Sequence, residues 1–159
     1  MPFVPIIMGS KSDLKHGQAI VDALAEFGID SEIRVASAHK APKFALEVLA
    51  AYEADPLPKV YITVAGRSNA LSGLVDGAVV APVIACPPYS ERFGGADVFS
   101  SLRMPSGIAP AVVVEPSGAA LLAAKILSLA VPALRERVAA AQQAAMQTII
   151  SDDQSLRQE

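Results

Sequence analysis

Lys59–Asn69 reads KVYITVAGRSN, an apolar run rich in β-branched residues that stops at a small polar turn. The same change occurs twice upstream. PIIM (Pro5–Met8) runs into GSKSD (Gly9–Asp13), and EIRVA (Glu32–Ala36) runs into SAHK (Ser37–Lys40). Short, continuous Val/Ile-rich runs predict strands covered on both faces. Stretches with helical spacing separate them, so the chain alternates strand and helix around a parallel sheet. In such a sheet the three turns all sit at the carboxyl ends of strands, along the edge where open α/β sheets bind ligands. One histidine, two lysines, one arginine, one aspartate and several serines therefore converge on one crevice.

Outward from these segments, strands are expected at Phe3–Met8, Ser31–Ala36, Val60–Ala65, Pro82–Ala85 and Ala111–Val114. Helices fill the gaps. Asp13–Phe27 carries Ile20, Leu24 and Phe27 on one face, with Gly28 as its stop. Pro42–Tyr52 begins with proline in the first turn, and Asn69–Asp76 is shorter. Ser117–Ala130 is apolar nearly all round, as in a helix buried on more than one side. A last helix, about 133–150, repeats Leu134, Val138, Ala141, Ala145 and Ile149 at spacings of three and four, opposite a polar face. It packs back on its own domain or lies on a neighbouring subunit; the pattern allows both. The polar tail Ser151–Glu159 is expected to fray. Residues 1–159 read as one domain, with the sheet core at about 3–130.

The 159 residues are 52% apolar and 18% charged, with a formal net charge of −3. An apolar excess on a small domain predicts self-association. The mild negative charge and the lack of a Lys/Arg cluster argue against a nucleic-acid partner. The one cysteine, Cys86, allows no internal disulfide and fits a reducing cytoplasm. The N-terminus has neither the basic region nor the apolar region of a secretory leader. The longest apolar stretch, Gly118–Leu134, is broken by Lys125 and Pro132, so it reads as a buried helix rather than a membrane span. No Cys, His or carboxylate cluster has metal-ligand spacing, and no metal is inferred.

The turns carry the chemistry. In GSKSD, Ser12 or Asp13 can cap the following helix, whose free N–H groups favour an anion, and Gly9 permits close backbone approach. The alternative is a capped helix whose serines satisfy only the backbone. In SAHK, His39 stands on the ligand edge, where an imidazole exchanges protons near neutral pH; a surface histidine is the plainer reading. His16, within the first helix, reads as structural. In GRSN, Gly66 gives a second close approach. Arg67 holds an anion or pairs with an acid of a neighbouring chain, and Ser68 and Asn69 bind substrate or cap the next helix. SSLRMPSG (Ser100–Gly107) reads as a shaped, non-helical loop with Arg103 as its anion-binding candidate. CPPYSERFGG (Cys86–Gly95) reads as a flexible cover or a subunit contact, with Cys86 a buried thiol rather than a nucleophile.

Together these segments resemble the AIR carboxylase family, which handles carboxyaminoimidazole ribonucleotide in purine synthesis. GSKSD matches its phosphoribose loop, SAHK its histidine loop and SSLRMPSG its later substrate loop, and the likeness runs from Pro5 to about Ile150. The family has two classes. Class I mutases carry a second histidine in the third loop. Here that loop reads AGRSNALSG (Ala65–Gly73), with Ala70 at the aligned position, and SAHK stands where class I usually has SAHR. AGRSN, CPP and SSLRMPSG look like class II, the direct carboxylases, in a stand-alone bacterial form.

The resemblance implies a flavodoxin-like, three-layer α-β-α fold with a parallel five-stranded sheet and a C-terminal helical arm. It further implies a homo-octamer whose sites draw on adjacent subunits, with no metal, biotin or ATP. The implied activity is carboxylation of 5-aminoimidazole ribonucleotide (AIR) at C4 by CO2, giving its 4-carboxy derivative (CAIR). By the same likeness His39 is the proton-transfer residue, and Lys40 holds the carboxylate or tunes the imidazole. Gly9, Ser10, Ser12 and Asp13 hold phosphate and ribose, with Ser37 and Ala38 beside them. Ala65, Gly66, Arg67 and Ser68 line the pocket for CO2, while Ser101, Arg103, Met104 and Gly107 form the later substrate loop. The rival readings are the class I mutase activity on the N5-carboxylated ribonucleotide and a non-catalytic nucleotide-binding domain. A phosphate-receiving signalling domain fails, because the first and third strands end in Met8-Gly9-Ser10 and Ala65-Gly66-Arg67 rather than in acids.

Overall fold

The computed structural model describes residues 2–157. Five parallel strands form one sheet: β1 (Phe3–Met8), β2 (Asp30–Val35), β3 (Tyr61–Val64), β4 (Val83–Ala85) and β5 (Ala111–Val112), in the order β2-β1-β3-β4-β5. Ile6 is paired with Ile33 on one side and Ile62 on the other. The period-two alternation of the strands sorts the core into two layers. Val4, Ile6 and Met8 of β1, with Val60, Ile62 and Val64, face α1 (Leu14–Glu26) and α5 (Pro116–Leu127). Ile7, Tyr61 and Ala65 face α2 (Pro42–Glu53) and α3 (Ala70–Ala78). This is the flavodoxin-like three-layer arrangement.

Two local sequence signals act as expected. Gly28 ends α1 at φ +62°, its N–H bonded to Ala25 O at 2.8 Å. Pro42 lies in the first turn of α2. The small residues of α5 (Ala119, Ala120, Ala123 and Ala124) are fully buried, so the helix sits close to the sheet and to α1.

Three expectations are corrected. β2 is an edge strand and is not covered on both faces: Asp30, Glu32 and Val35 are exposed, and charges on an edge discourage unwanted strand pairing. Ser100–Leu102 is not loop but the end of a short helix, α4 (Val98–Leu102). The last helix, α6 (Pro132–Leu156), runs through most of the segment expected to fray, with the final two residues of that tail outside the described residues. Only its first turns join the core, through Leu134 and Val138, and residues 139–157 are exposed throughout. The arm therefore does not fold back on its own sheet.

Candidate active site

The three strand-end turns enter one cleft of about 540 Å³. It lies at the carboxyl ends of β1 and β3, where chain order reverses direction, the ligand-binding point of a doubly wound sheet. The Gly9 N–H donates to Val64 O at 3.0 Å and ties the first turn to the third strand. A Cβ built on Gly9 would meet nothing nearer than 3.8 Å, and its backbone is not left-handed. The protein's own packing therefore does not require glycine there.

Ser10, not Ser12 or Asp13, caps the turn that leads into α1. Its extended backbone (φ −154°) aims Oγ at a single 3-10 turn (Lys11–Asp13), where it accepts from the Ser12 N–H at 3.2 Å and the Ser12 hydroxyl at 2.9 Å. Asp13 makes no cap bond and lines the cleft. Burial raises its pKa above the ordinary carboxylate value, against the opposing pull of His16, the Ser12 hydroxyl and Arg67. A carboxyl beside the N–H groups that open a helix suits a ribose hydroxyl on one side and a phosphate on the other.

The second turn is closed by Ser37, whose Oγ accepts from the Lys40 N–H at 3.2 Å and whose carbonyl accepts from the Ala41 N–H at 2.9 Å. That closure carries Ala38, His39 and Lys40 along the cleft wall. His39 Nε2 stands 3.4 Å from Ser68 Oγ on the third turn, a long contact that leaves both groups free to turn to a ligand.

In the third turn Ala65, Gly66, Arg67 and Ser68 line the cleft. Arg67 is, among the described residues, the only non-glycine with positive φ (59°). Asn69 takes the capping role: its Oδ1 accepts from the Ser72 N–H at 3.1 Å, at the start of α3. Behind it runs a buried polar chain. Thr63 Oγ1 and Ser72 Oγ are 2.7 Å apart, Ser72 Oγ donates to Asn69 Oδ1 at 2.8 Å, and Asn69 Nδ2 donates to Ser101 Oγ at 2.8 Å. A fully satisfied buried network of this kind fixes geometry, here the geometry of the third turn.

The later loop stands differently. Ser101 is corrected as a substrate contact: it is 1% exposed, and its hydroxyl is engaged by Asn69. Arg103, Met104 and Gly107 do not line the cleft of this chain. Met104 lies against Gly73 of α3, Gly107 turns at φ +88°, and Arg103 is exposed. Sequence reading missed Leu71 and Asp97 as cleft residues. Pro88, Tyr89 and Ser90 of the proposed cover line it too.

His16 is structural, as expected. It is half-buried, with Nε2 3.1 Å from Cys86 O, and burial lowers its pKa despite that bond. Cys86 is fully buried and its thiol is pushed up to about 12, which leaves it no nucleophilic thiolate at neutral pH. Among the described residues no three His, Cys, Asp or Glu side chains are grouped to hold a metal ion, and no helix is long and apolar enough to cross a membrane.

A family model described as AIR carboxylase matches residues 3–148. The chain belongs to the AIR carboxylase family. It is 53% identical over 156 residues to a phosphoribosylaminoimidazole carboxylase of Treponema denticola, covering 98% of both chains. It is also 53% identical to one of Archaeoglobus fulgidus, covering 96% of this chain and 83% of that one. The human bifunctional carboxylase/succinocarboxamide synthetase is 48% identical over 126 residues, a match spanning 30% of that longer protein. The crystal structure of Treponema denticola PurE superposes with a TM-score of 0.96 at 52% identity, covering 98% of this chain and 99% of that one. The likeness to the stand-alone enzymes thus covers the sheet, the cleft and nearly all of the arm.

Proposed function

We propose that the chain is an AIR carboxylase of purine biosynthesis, which reversibly joins CO2 to C4 of 5-aminoimidazole ribonucleotide to give the 4-carboxy product. The observation that carries this reading is His39, 3.4 Å from Ser68 across a cleft whose phosphate-suited turn is Gly9–Asp13. The aminoimidazole ring is an enamine-like nucleophile. Its C4 forms a bond to the carbon of CO2, and the displaced C=O electron pair becomes the carboxylate. C4, still bearing hydrogen, becomes tetrahedral and the ring cationic. His39 takes the C4 proton, the C–H electron pair restores the aromatic ring, and the exposed imidazolium passes the proton to solvent. In reverse, His39 protonates C4 before CO2 leaves.

CO2 offers few binding handles, so the remote phosphate and ribose must orient the ring. Ser10, Ser12 and Asp13 serve that purpose. The Gly66–Ser68 turn supplies donors to the developing carboxylate, and Lys40, next to His39 on the cleft wall, adds a cation that holds the carboxylate or tunes the imidazole.

The active particle in this reading is a homo-oligomer, an octamer by the family likeness, acting in the cytoplasm. Its single carboxylase domain spans 1–159, and the segment with Arg103, Met104 and Gly107 reaches a neighbour's cleft. The exposed arm, with Met146 at 50% and Ile149 at 68% exposure, supports this assembly.

Two substrates offered separately test the function: AIR with CO2 or bicarbonate, and the N5-carboxylated ribonucleotide. Carboxylation of AIR with no direct conversion of the N5 compound is expected. Conversion of the N5 compound alone would make the chain a mutase, and binding without turnover would make it a nucleotide-binding module.

A further inference from the structure

Asp97 occupies the N-cap position of α4, where an acidic side chain ordinarily bonds its own helix, yet it makes no cap bond. Its Oδ2 instead accepts the Arg67 N–H at 2.8 Å, thirty residues back in the chain. Arg67 is the residue held at φ 59°, a conformation that opposes any side chain with a Cβ. The carboxylate is packed tightly there: a Cβ on Gly66 would stand 3.3 Å from the same Oδ2. Two further bonds come from α4, with the Asn69 N–H donating to Ser100 Oγ and Asn69 Nδ2 to Ser101 Oγ, both at 2.8 Å. Both flanks of Ser68 are thus gripped by residues 97–101, and Ser68 Oγ faces His39.

We propose that Asp97 is a positioning residue. Its carboxylate holds Arg67 in the left-handed conformation, and this sets the Gly66–Ser68 turn and the place of Ser68 beside His39. The catalytic consequence rests on the carboxylase reading above; the conformational one does not. Without the acceptor, Arg67 relaxes to negative φ and the turn swings away from the imidazole. The nucleotide-binding turn at Gly9–Asp13 is a separate segment and keeps its shape. Asparagine retains an oxygen acceptor at the same point and restores the bond. Glycine at 67 adopts positive φ freely and removes the need for the clamp.

The test compares Asp97→Ala, Asp97→Asn, Arg67→Gly and the double variant Asp97→Ala/Arg67→Gly, each checked for cooperative unfolding. Hydrogen exchange of the peptide containing Arg67 reads the conformation, and steady-state carboxylation reads the consequence. Asp97→Ala should expose the Arg67 amide and lower kcat on the order of tenfold to hundredfold, the scale of a small misplacement of reacting groups. The KM for AIR should barely move, and Asp97→Asn should restore kcat. In the Arg67→Gly background, Asp97→Ala should add no further loss. If Asp97→Ala alone does not fold, the comparison of Arg67→Gly with the double variant carries the same test. A protected Arg67 amide in Asp97→Ala, wild-type kcat in that variant, or an equal loss in both backgrounds overturns the proposal. If the exchange result holds while wild-type protein leaves AIR untouched, the carboxylase reading falls and the clamp stands.

Discussion

Replacing Gly9 by alanine separates what the fold needs from what a ligand needs. A Cβ at this position has 3.8 Å to Ala65 Cβ, and 3.9 Å to Leu71 Cδ2 and to Val64 O. Those are ordinary van der Waals distances, and the residue is not at positive φ. At such a compatible site Gly→Ala stabilises by about 0.4–1 kcal/mol, by reducing the freedom of the unfolded chain. For a chain of this length that is a rise in Tm of about 1–4 °C. The methyl group, however, stands beside Ala65 and Leu71, both walls of the cleft, and holds a phosphoryl oxygen away from the turn. Losing one hydrogen bond to a charged group costs about 1.5–3 kcal/mol, or roughly ten- to hundredfold in KM for AIR. Thermal unfolding and steady-state kinetics on one preparation read both quantities. A fall in Tm of several degrees would show that the fold itself demands glycine. An unchanged KM would show that no ligand approaches this backbone, and the phosphate assignment of the turn would be lost.

His39→Asn should lower turnover by at least about a hundredfold, the lower range of general acid–base catalysis, with AIR binding by calorimetry retained; near-normal turnover removes the imidazole from the mechanism. Arg103→Ala should raise the KM for AIR by about tenfold or more, the loss of a charge-assisted bond, with kcat little changed; an unchanged KM rejects a neighbour's Arg103 as a phosphate ligand. Burial lowers the His16 pKa from its ordinary value of 6.5, so as pH falls through that value the unfolded chain takes up the proton first. Stability should therefore fall as pH drops from about 6.5, and His16→Gln should flatten that slope in denaturant titrations; an unaltered slope assigns it to another group.

The three principal turns were legible because each closes a strand whose own composition is decisive. Val4, Ile6 and Met8 against Ile7, and Val60, Ile62 and Val64 against Tyr61, set the two faces of the sheet before any tertiary contact is known. With the strands parallel, their polar ends have only one edge to share, and Gly9, His39 and Ser68 meet there. The edge character of β2 was written in Asp30, Glu32 and Arg34, charges that a strand covered on both sides could not carry. The length of α6 was hidden because SDDQ reads as a tail, while an exposed helix needs no apolar stripe in its last turns.

The second half of the site was not legible, for a different reason. A five-residue helix such as α4 has too few internal hydrogen bonds to be stable through local propensity. It exists through bonds made far away in the chain, from Asp97 to Arg67 and from Ser100 and Ser101 to Asn69. Ser101 illustrates the consequence. The family likeness makes Ser101 a ligand group, and only its burial against Asn69 reveals a structural one. Asp97 carries no reading in the sequence at all, and only its bond to the Arg67 N–H shows that it is directed into the third turn. Residues whose partners are a few positions away can be read from the chain, whereas residues whose partners are thirty positions away acquire their meaning only when the sheet brings those partners together. In this chain that division separates the strand-end turns, which present chemical groups to the cleft, from the 97–101 segment, which holds one of those turns in place.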